Sequence, residues 1–286
     1  LLIKIKKMIK TIDIQSGETA GLYQYLSAAV TPRPIAFVST IDSEGNKNLS
    51  PFSFFNVFSI NPPILVFSPV RRVRNNTSKH TLENVQQVKE CVISLVTEEI
   101  AQQVSLASCD FDKETNEFEK AGFTAIKSDL IRPSRIKESP INFECKVNEV
   151  ISLGKEGGAG SLVLCEVLKM HIDESILDEN NDINPFKLNI VSRLGSNWYG
   201  KTTKDSLYEI AKPISRMGMG IDKLPEEIRN SKILTGNDLA ILASAENIPV
   251  KKEFNLTDKK NTEEKHILAK ELLNQDKAED AWQILL

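Results

Sequence analysis

The chain has 286 residues, of which 41% are hydrophobic and 26% are charged, and its formal net charge is −3 at pH 7. This composition is typical of a globular protein and excludes a collagen-like or wholly disordered chain. The small negative charge gives no overall attraction to nucleic acid or to an anionic membrane surface, so any anionic ligand must be held by a local site.

Cysteine and histidine are sparse and scattered along the chain. The four cysteines form no CxxC pair, and there are three histidines, so the spacing predicts neither a metal site nor a disulfide framework. We therefore expect buried thiols in a reducing compartment and a cytoplasmic protein. The N-terminal run LLIKIKKMIK lacks the apolar core of a signal peptide, and its alternation with lysine favours a first strand or added sequence ahead of Met8.

Residues 48–70, NLSPFSFFNVFSINPPILVFSPV, contain no charged side chain. A membrane-spanning helix is disfavoured because its four prolines would each remove a backbone hydrogen-bond donor. The stretch instead predicts buried strands that are broken by turns, and no membrane association.

Short apolar runs bounded by turn residues predict an antiparallel β architecture. The run PIAFVSTI is followed by the turn residues DSEGN, and the segments SPFSFFNVFSI, PILVFS and CVISLV repeat the pattern. Further on, INFECKVNEVISL and SLVLCEVLKMHID flank the glycine-rich GKEGGAG and predict a long hairpin. This number and spacing of strands indicate a barrel or a sandwich.

Helices are expected in two places among the strands and again near the C-terminus. HTLENVQQVKE and TEEIAQQVSLAS have helical spacing, and Thr97 is the expected N-cap of the second. After about Tyr199 the strand signals end, and LPEEIRN, GNDLAILASAEN and TEEKHILAKELLNQDKAEDAWQILL read as helices. We therefore place a domain boundary near residue 200, with residues 1–200 forming the β domain and residues 201–286 a helical extension.

One group of residues has the chemistry to hold a planar ring. Ser50, Ser53 and Asn56 lie among phenylalanines in the uncharged stretch. Hydroxyls and exposed backbone N–H groups can orient a polar heterocycle while aromatic side chains keep water from its faces. Phenylalanine alternating with serine is also what a plain barrel lining looks like, so both interpretations remain open at this point.

A second group, VRRVRNNTSKHTLENV, brings basic residues to the start of the first predicted helix. Unpaired N–H groups at a helix N-terminus, together with Lys79 and Thr81, would suit a phosphate. The alternative is a solvated basic loop. Neither GxxxxGK[ST] nor GxGxxG occurs, so the familiar nucleotide-binding turns are not indicated.

Several short motifs together resemble those of the flavin reductase-like, FMN-binding split-barrel proteins. They are Thr31-Pro32-Arg33-Pro34, the run SPFSFFN from Ser50 to Asn56, Asn61-Pro62-Pro63, Ser68-Pro69, Lys79-His80-Thr81 with Asn84, and Arg193-Leu194-Gly195 with Trp198-Tyr199. The resemblance covers about residues 10–200. It implies a mainly β fold, an antiparallel Greek-key split β-barrel with flanking helices, ahead of the C-terminal helical extension.

The resemblance also implies an FMN site. Its ring would lie along Ser50, Pro51, Phe52 and Ser53, with Asn56 facing the same pocket. Arg33, Ser68, Lys79 and Thr81 match positions near the ribityl chain or phosphate, and Arg193 and Tyr199 match a motif near the pocket mouth. His80 departs from the acidic residue expected in its tripeptide and makes the phosphate site more positive. No catalytic side chain is required, because the cofactor carries the chemistry.

The expected activity is hydride transfer from NADH or NADPH to flavin, by a homodimer. The alternative is a non-catalytic flavoprotein that carries electrons between proteins, as a flavoredoxin would. A related fold that uses pyridoxamine phosphate is a third possibility.

Overall fold

The computed structural model describes residues 8–14, 19–210, 217–252 and 260–286. The chain separates into two compact units between Leu207 and Tyr208. The first strand expected at the N-terminus falls mostly on residues 1–7, which lie outside the described residues, and residues 8–10 belong to no strand.

The first unit is built mainly from strands. These are β1 (Ala36–Ile41), β2 (Lys47–Phe52), β3 (Phe55–Ile60), β4 (Pro63–Phe67), β5 (Glu90–Leu95), β6 (Ala125–Ile126), β7 (Arg135–Ile136), β8 (Ile141–Ser152), β9 (Ser161–Ile172), β10 (Val191–Arg193) and β11 (Tyr199–Lys201). Its helices are α1 (Thr19–Ala29), α2 (His80–Val88), α3 (Ala101–Leu106), α4 (Glu117–Lys120) and α5 (Pro185–Leu188).

Seven of the strands form one antiparallel sheet in the order β2-β1-β5-β8-β9-β4-β3. The two strands at its ends, β2 and β3, follow each other in the chain and are joined by only Ser53 and Phe54. The sheet therefore curls until its first and last strands approach at this join. The mainly β, antiparallel fold expected from the sequence is confirmed.

The uncharged stretch forms β2, β3 and β4, and the expected long hairpin is β8–β9. The register of that hairpin shifts between Glu144 and Cys145 and again between Val147 and Glu149. Such bulges bend and twist a strand pair, which helps a long hairpin to follow a curved sheet.

Strand β1 is buried on both faces and divides the core into two clusters. Ala36 and Val38 pack with Phe52 and Phe67 on one side, and Phe37 packs with a second cluster on the other. A fully buried apolar side chain of this size contributes about 1.5–3 kcal/mol. This double burial explains why β1 reads as a continuous apolar run rather than an alternating one.

Helix α2 forms where the sequence predicts it, but the expected start of the next helix is wrong. Helix α3 begins at Ala101 with Ile100 as its N-cap. Thr97 instead makes an antiparallel bridge with Ile190, which holds it in extended backbone. Tertiary pairing therefore overrides the local capping signal.

The cysteines follow the expectation only in part. Cys91, Cys145 and Cys165 are buried thiols, but Cys109 is exposed. The prediction of burial is therefore wrong for Cys109, which lies in a loop after α3.

The second unit contains α6 (Glu226–Arg229), α7 (Gly236–Ala243), α8 (Thr262–Leu273) and α9 (Ala278–Leu285). Thr235 and Asp238 form a capping box at the start of α7. The indole of Trp282 is buried and donates to the Leu242 carbonyl oxygen at 3.2 Å. Within the described ranges, no helix of either unit is long and apolar enough to cross a membrane.

Candidate functional site

A cleft of about 210 Å³ opens where β2 meets β3. Its lining comes from the join itself, from the chain after β4, from α1, from the residues before α2 and from the chain after α3. The lining residues are Tyr23, Ser50, Pro51, Phe52, Ser53, Phe54, Ser68, Val70, Lys79 and Ser108. Ser53 and Lys79, 26 positions apart in the sequence, thus share one cavity.

The join between β2 and β3 forms the uncharged part of the cleft. Phe52 is 7% exposed, and its ring centroid lies 5.2 Å from that of Phe67, so it forms a fixed apolar floor. Ser68 N–H donates to the Phe54 carbonyl oxygen at 2.8 Å, which closes the bend. A Cβ at Gly160 would come within 2.6 Å of Ser68 Oγ, so glycine there leaves room for that hydroxyl.

Helix α1 supplies one wall of the cleft through Tyr23. The Tyr23 and Phe54 rings lie 6.4 Å apart, and the Arg33 guanidinium lies 5.7 Å from the Phe54 ring centroid. Arg33 is 7% exposed and donates to the carbonyl oxygens of Ser27, Val30 and Leu194. Arg33 therefore ties the end of α1 to the chain after β10 instead of lining the cleft.

A cationic group adjoins the cleft at Lys79. Arg72, Arg74 and Lys79 all approach the single carboxylate of Asp110. The distance to an Asp110 oxygen is 3.0 Å from Arg72 and 3.8 Å from Lys79. Three cations around one carboxylate leave a local excess of positive charge. This group therefore has the charge needed to accept an anion.

Lys79 stands at the junction of the two ends. It is the N-cap residue of α2 and makes no side-chain cap hydrogen bond. Burial, followed by the nearby Arg72, lowers its pKa, and Asp110 opposes that shift. A small polar pocket shares Ser50, Lys79 and Ser108 with the cleft and reaches His80 and Asp110. In the first turn of α2, Leu82 N–H donates to the Lys79 carbonyl oxygen at 3.0 Å, whereas the N–H groups of His80 and Thr81 come too early in the helix to have an intrahelical partner.

A buried hydrogen-bond chain holds the start of α2 against β2. Thr81 Oγ1 donates to Asn48 Oδ1 at 2.7 Å, and Asn48 Nδ2 donates to Glu117 Oε1 at 2.9 Å. The other Glu117 oxygen accepts from Leu49 N–H at 3.0 Å, and burial raises the pKa of this carboxyl. The chain fixes Ser50, two residues after Asn48, beside the cationic end.

The structure brings together half of the residues that the resemblance assigns to FMN. Ser50, Pro51, Phe52, Ser53, Ser68 and Lys79 line the cleft, and His80 and Thr81 line the adjoining polar pocket. Thr81 is 1% exposed and its hydroxyl is taken by Asn48. Asn56 is exposed on β3, where its Oδ1 accepts from Val57 N–H. Tyr199 lines a different cleft, and Arg193 stacks on it.

Besides Ser108, which lines both the cleft and the polar pocket, four residues that sequence reasoning missed belong to the site or its support: Tyr23, Asn48, Asp110 and Glu117. Helix α1 buries no apolar stripe among its described side chains, so no periodic signal marks Tyr23. The partners of the other three lie 33 to 69 positions away in sequence, beyond the reach of local patterns.

Comparison with known proteins identifies the family. The model of the flavin reductase like domain matches residues 28–187, which is more than half of the chain. The chain belongs to the flavin reductase-like family. Its antiparallel barrel, with end strands that meet at the cleft, is the split β-barrel of that family. An uncharacterized protein of Aquifex aeolicus is 39% identical over 186 residues, covering 64% of this chain and 92% of that protein.

Two solved structures show the same fold. Nitrilotriacetate monooxygenase component B from Bacillus cereus is 27% identical with a TM-score of 0.67, covering 71% of this flavin reductase-like chain and 100% of that one. The 2-nitrobenzoate 2-nitroreductase of Pseudomonas fluorescens is 29% identical with a TM-score of 0.63, covering 71% and 96%.

Proposed function

We propose that the protein holds FMN in the cleft between β2 and β3 and transfers hydride to it from NADH or NADPH. The observation that carries the proposal is that the uncharged join and Lys79, the N-cap residue of α2, line one cavity, which adjoins the polar pocket of Arg72 and Asp110. A flavin mononucleotide has the same two ends, a planar ring and a phosphate.

The uncharged end suits the ring. Phe52 supplies an apolar floor, and Ser50 and Ser53 supply hydroxyls beside backbone at a strand end. Tyr23 and Phe54 exclude water from the side of the cleft near α1. We infer that these residues bind and orient the ring.

The cationic end suits the phosphate. Lys79 and Arg72 would bind phosphate oxygens through charge-assisted hydrogen bonds, and the first turn of α2 would add N–H donors. The Asp110 carboxylate forms ion pairs with Arg72 and Lys79. A bound phosphate would therefore share these cations with the carboxylate or displace it.

Bound FMN would supply the two-electron chemistry, so the protein needs to align two rings and keep water away. We propose no catalytic side chain. The relative that is a 2-nitrobenzoate 2-nitroreductase supports reductase chemistry on this fold.

The test is anaerobic. The purified full-length protein is expected to bind FMN and to lose its flavin absorbance rapidly when NADH or NADPH is added. Protein that stays coloured with both nucleotides would contradict the reductase activity and favour the electron-carrier alternative. Failure to bind FMN at all would contradict both.

We also propose that the protein is a homodimer. Strand β3 is an end strand of the sheet, and its side chains Val57, Phe58 and Ile60 are 52%, 69% and 81% exposed. An apolar edge strand of this kind needs a partner in water, and a second copy would cover the edge beside the cleft. Light scattering that finds a stable monomer retaining FMN would contradict the dimer.

The four free thiols support a reducing compartment, and we propose that the protein is cytoplasmic. Fractionation of the source cells, followed by immunodetection, tests this location.

A further inference from the structure

A second cleft of about 390 Å³ lies between α3 and the β10–β11 hairpin. Its lining residues are Glu98, Ala101, Gln102, Ser105, Val191, Tyr199, Gly200 and Lys201, none of which lines the first cleft. Volumes of this size are typical of small-molecule sites.

Tyr199 gives this second cleft a surface for stacking. Its side chain is 41% exposed, and the Arg193 guanidinium lies 4.5 Å from its ring centroid. Arg193 pairs with Tyr199 across the β10–β11 hairpin, so the cation is fixed over one face of the ring. A planar ligand can therefore stack on a ring whose orientation is already set.

The polar groups of the second cleft suit an uncharged ring that carries a phosphate at one side. Gln102 and Ser105 offer donors and acceptors to a heterocycle edge. Lys201 Nζ lies 3.0 Å from Glu98 Oε1, and these side chains are 56% and 48% exposed. This ion pair leaves no net charge, yet Lys201 can exchange a solvated carboxylate for a phosphate at low cost.

Two paired arginines connect the clefts. Arg33 and Arg193 exchange two backbone hydrogen bonds of 2.9 Å. The Arg33 guanidinium lies over Phe54 of the first cleft, and the Arg193 guanidinium lies over Tyr199 of the second. Each of the two bridged arginines thus contacts an aromatic ring that lines one of the clefts.

The size of the first cleft requires the donor to extend beyond it. The proposed flavin would take up its volume of about 210 Å³. The cleft cannot enclose both a flavin and a whole dinucleotide, and the chain has no GxGxxG turn for the second. We propose that the second cleft binds the adenosine half of the nicotinamide donor, with its ring on Tyr199 and its phosphate on Lys201. This inference rests on the proposed function.

The test uses the full-length, FMN-loaded protein and two probes that carry no hydride, adenosine and adenosine monophosphate. By calorimetric titration, Tyr199→Leu is expected to weaken both probes about tenfold, because stacking on an aromatic ring is lost. Tyr199→Phe keeps the ring and should restore the binding of both. Lys201→Ala should weaken the monophosphate alone, and Tyr208→Leu, which removes an exposed tyrosine outside the cleft, serves as control.

Steady-state kinetics provide a second measurement. Tyr199→Leu should raise the KM for NADH or NADPH about tenfold while kcat and FMN affinity stay unchanged. If Tyr199→Leu lowers kcat and the affinity for FMN by as much as it raises the KM, the proposal is overturned.

The binding results separate this proposal from the proposed function. If neither probe binds the native chain, or if Tyr199→Leu binds both as tightly as the native chain, the second cleft is not an adenosine site. If adenosine binds through Tyr199 but neither dinucleotide bleaches the flavin, the second site stands and the proposed reductase activity fails.

Discussion

Lys79 is the residue at which the two ends of the first cleft can be tested separately. Lys79→Ala should weaken FMN binding about tenfold to a hundredfold, because a charge-assisted phosphate contact contributes roughly 1.5–3 kcal/mol. Riboflavin has no phosphate, so its affinity should hardly change. Titration of both flavins by fluorescence measures the difference, and Lys146→Ala, at an exposed position of β8, is the matched control. Equal losses for both flavins would remove Lys79 from the phosphate site.

Glu117 makes stability depend on pH in a direction that the structure determines. Burial raises the pKa of its carboxyl, so the folded state holds this proton more tightly than the unfolded state. Its contribution to the free energy of unfolding is therefore greatest below the unfolded pKa of about 4.3. The contribution is lost as pH rises through the raised folded pKa.

Glu117→Gln should remove this pH dependence, because an amide does not titrate. The substitution also places an NH₂ group against one of two N–H donors, from Asn48 or Leu49, at a cost of about 1–3 kcal/mol. Urea unfolding at a series of pH values measures both effects, with Glu119→Gln on exposed α4 surface as control. If the free energies of unfolding of the native chain and of Glu117→Gln differ by the same amount at every pH, the pH dependence does not come from Glu117.

At the scale of elements, the position of α1 depends on Arg33. Arg33→Met would leave three carbonyl oxygens, of Ser27, Val30 and Leu194, without this donor. We expect a destabilisation of about 1–3 kcal/mol and faster amide hydrogen exchange in α1. FMN and riboflavin should weaken equally, because the loss acts through the aromatic wall of the cleft. Arg132→Met, at an exposed side chain, is the control. If Arg33→Met weakens the binding of FMN but not of riboflavin, Arg33 instead contacts the phosphate, as the resemblance implies.

The elements that sequence alone predicts are those whose signal is local. Strand β8 alternates and ends at a glycine-rich turn, and α2 has apolar residues at helical spacing, so both are found in the expected places. The side chains that the structure describes in α1, from Gly21 onward, form no buried apolar stripe, and Thr97 makes a bridge with Ile190, so local patterns do not predict either feature.

The same distinction applies to the candidate site. The run from Ser50 to Phe54 and the basic loop before α2 can each be recognised in the sequence. Their convergence depends on Thr81 reaching Asn48 and on Asn48 reaching Glu117, contacts that span 33 and 69 positions. These contacts bury Thr81 and engage its hydroxyl. Because the sequence does not reveal them, a hydroxyl at a helix start looks like a free phosphate ligand.

At the scale of the whole molecule, the two units have separate hydrophobic cores. The clusters around Phe67 and Phe37 draw only on the first unit, and the cluster around Trp282 draws only on the second. Each unit therefore buries its own apolar surface, which is the main requirement for folding alone.

A chain that ends at Leu207 should consequently fold and bind FMN with unchanged affinity, because every residue of both clefts lies before that position. Calorimetry of the full chain should show a second transition that is absent from the shortened chain, since independent cores melt independently. Flavin titration and light scattering on both chains complete the comparison. A shortened chain that folds but loses FMN or the dimer would mean that the helical extension contributes to the site or the interface. A shortened chain that fails to fold would mean that the cores are not independent.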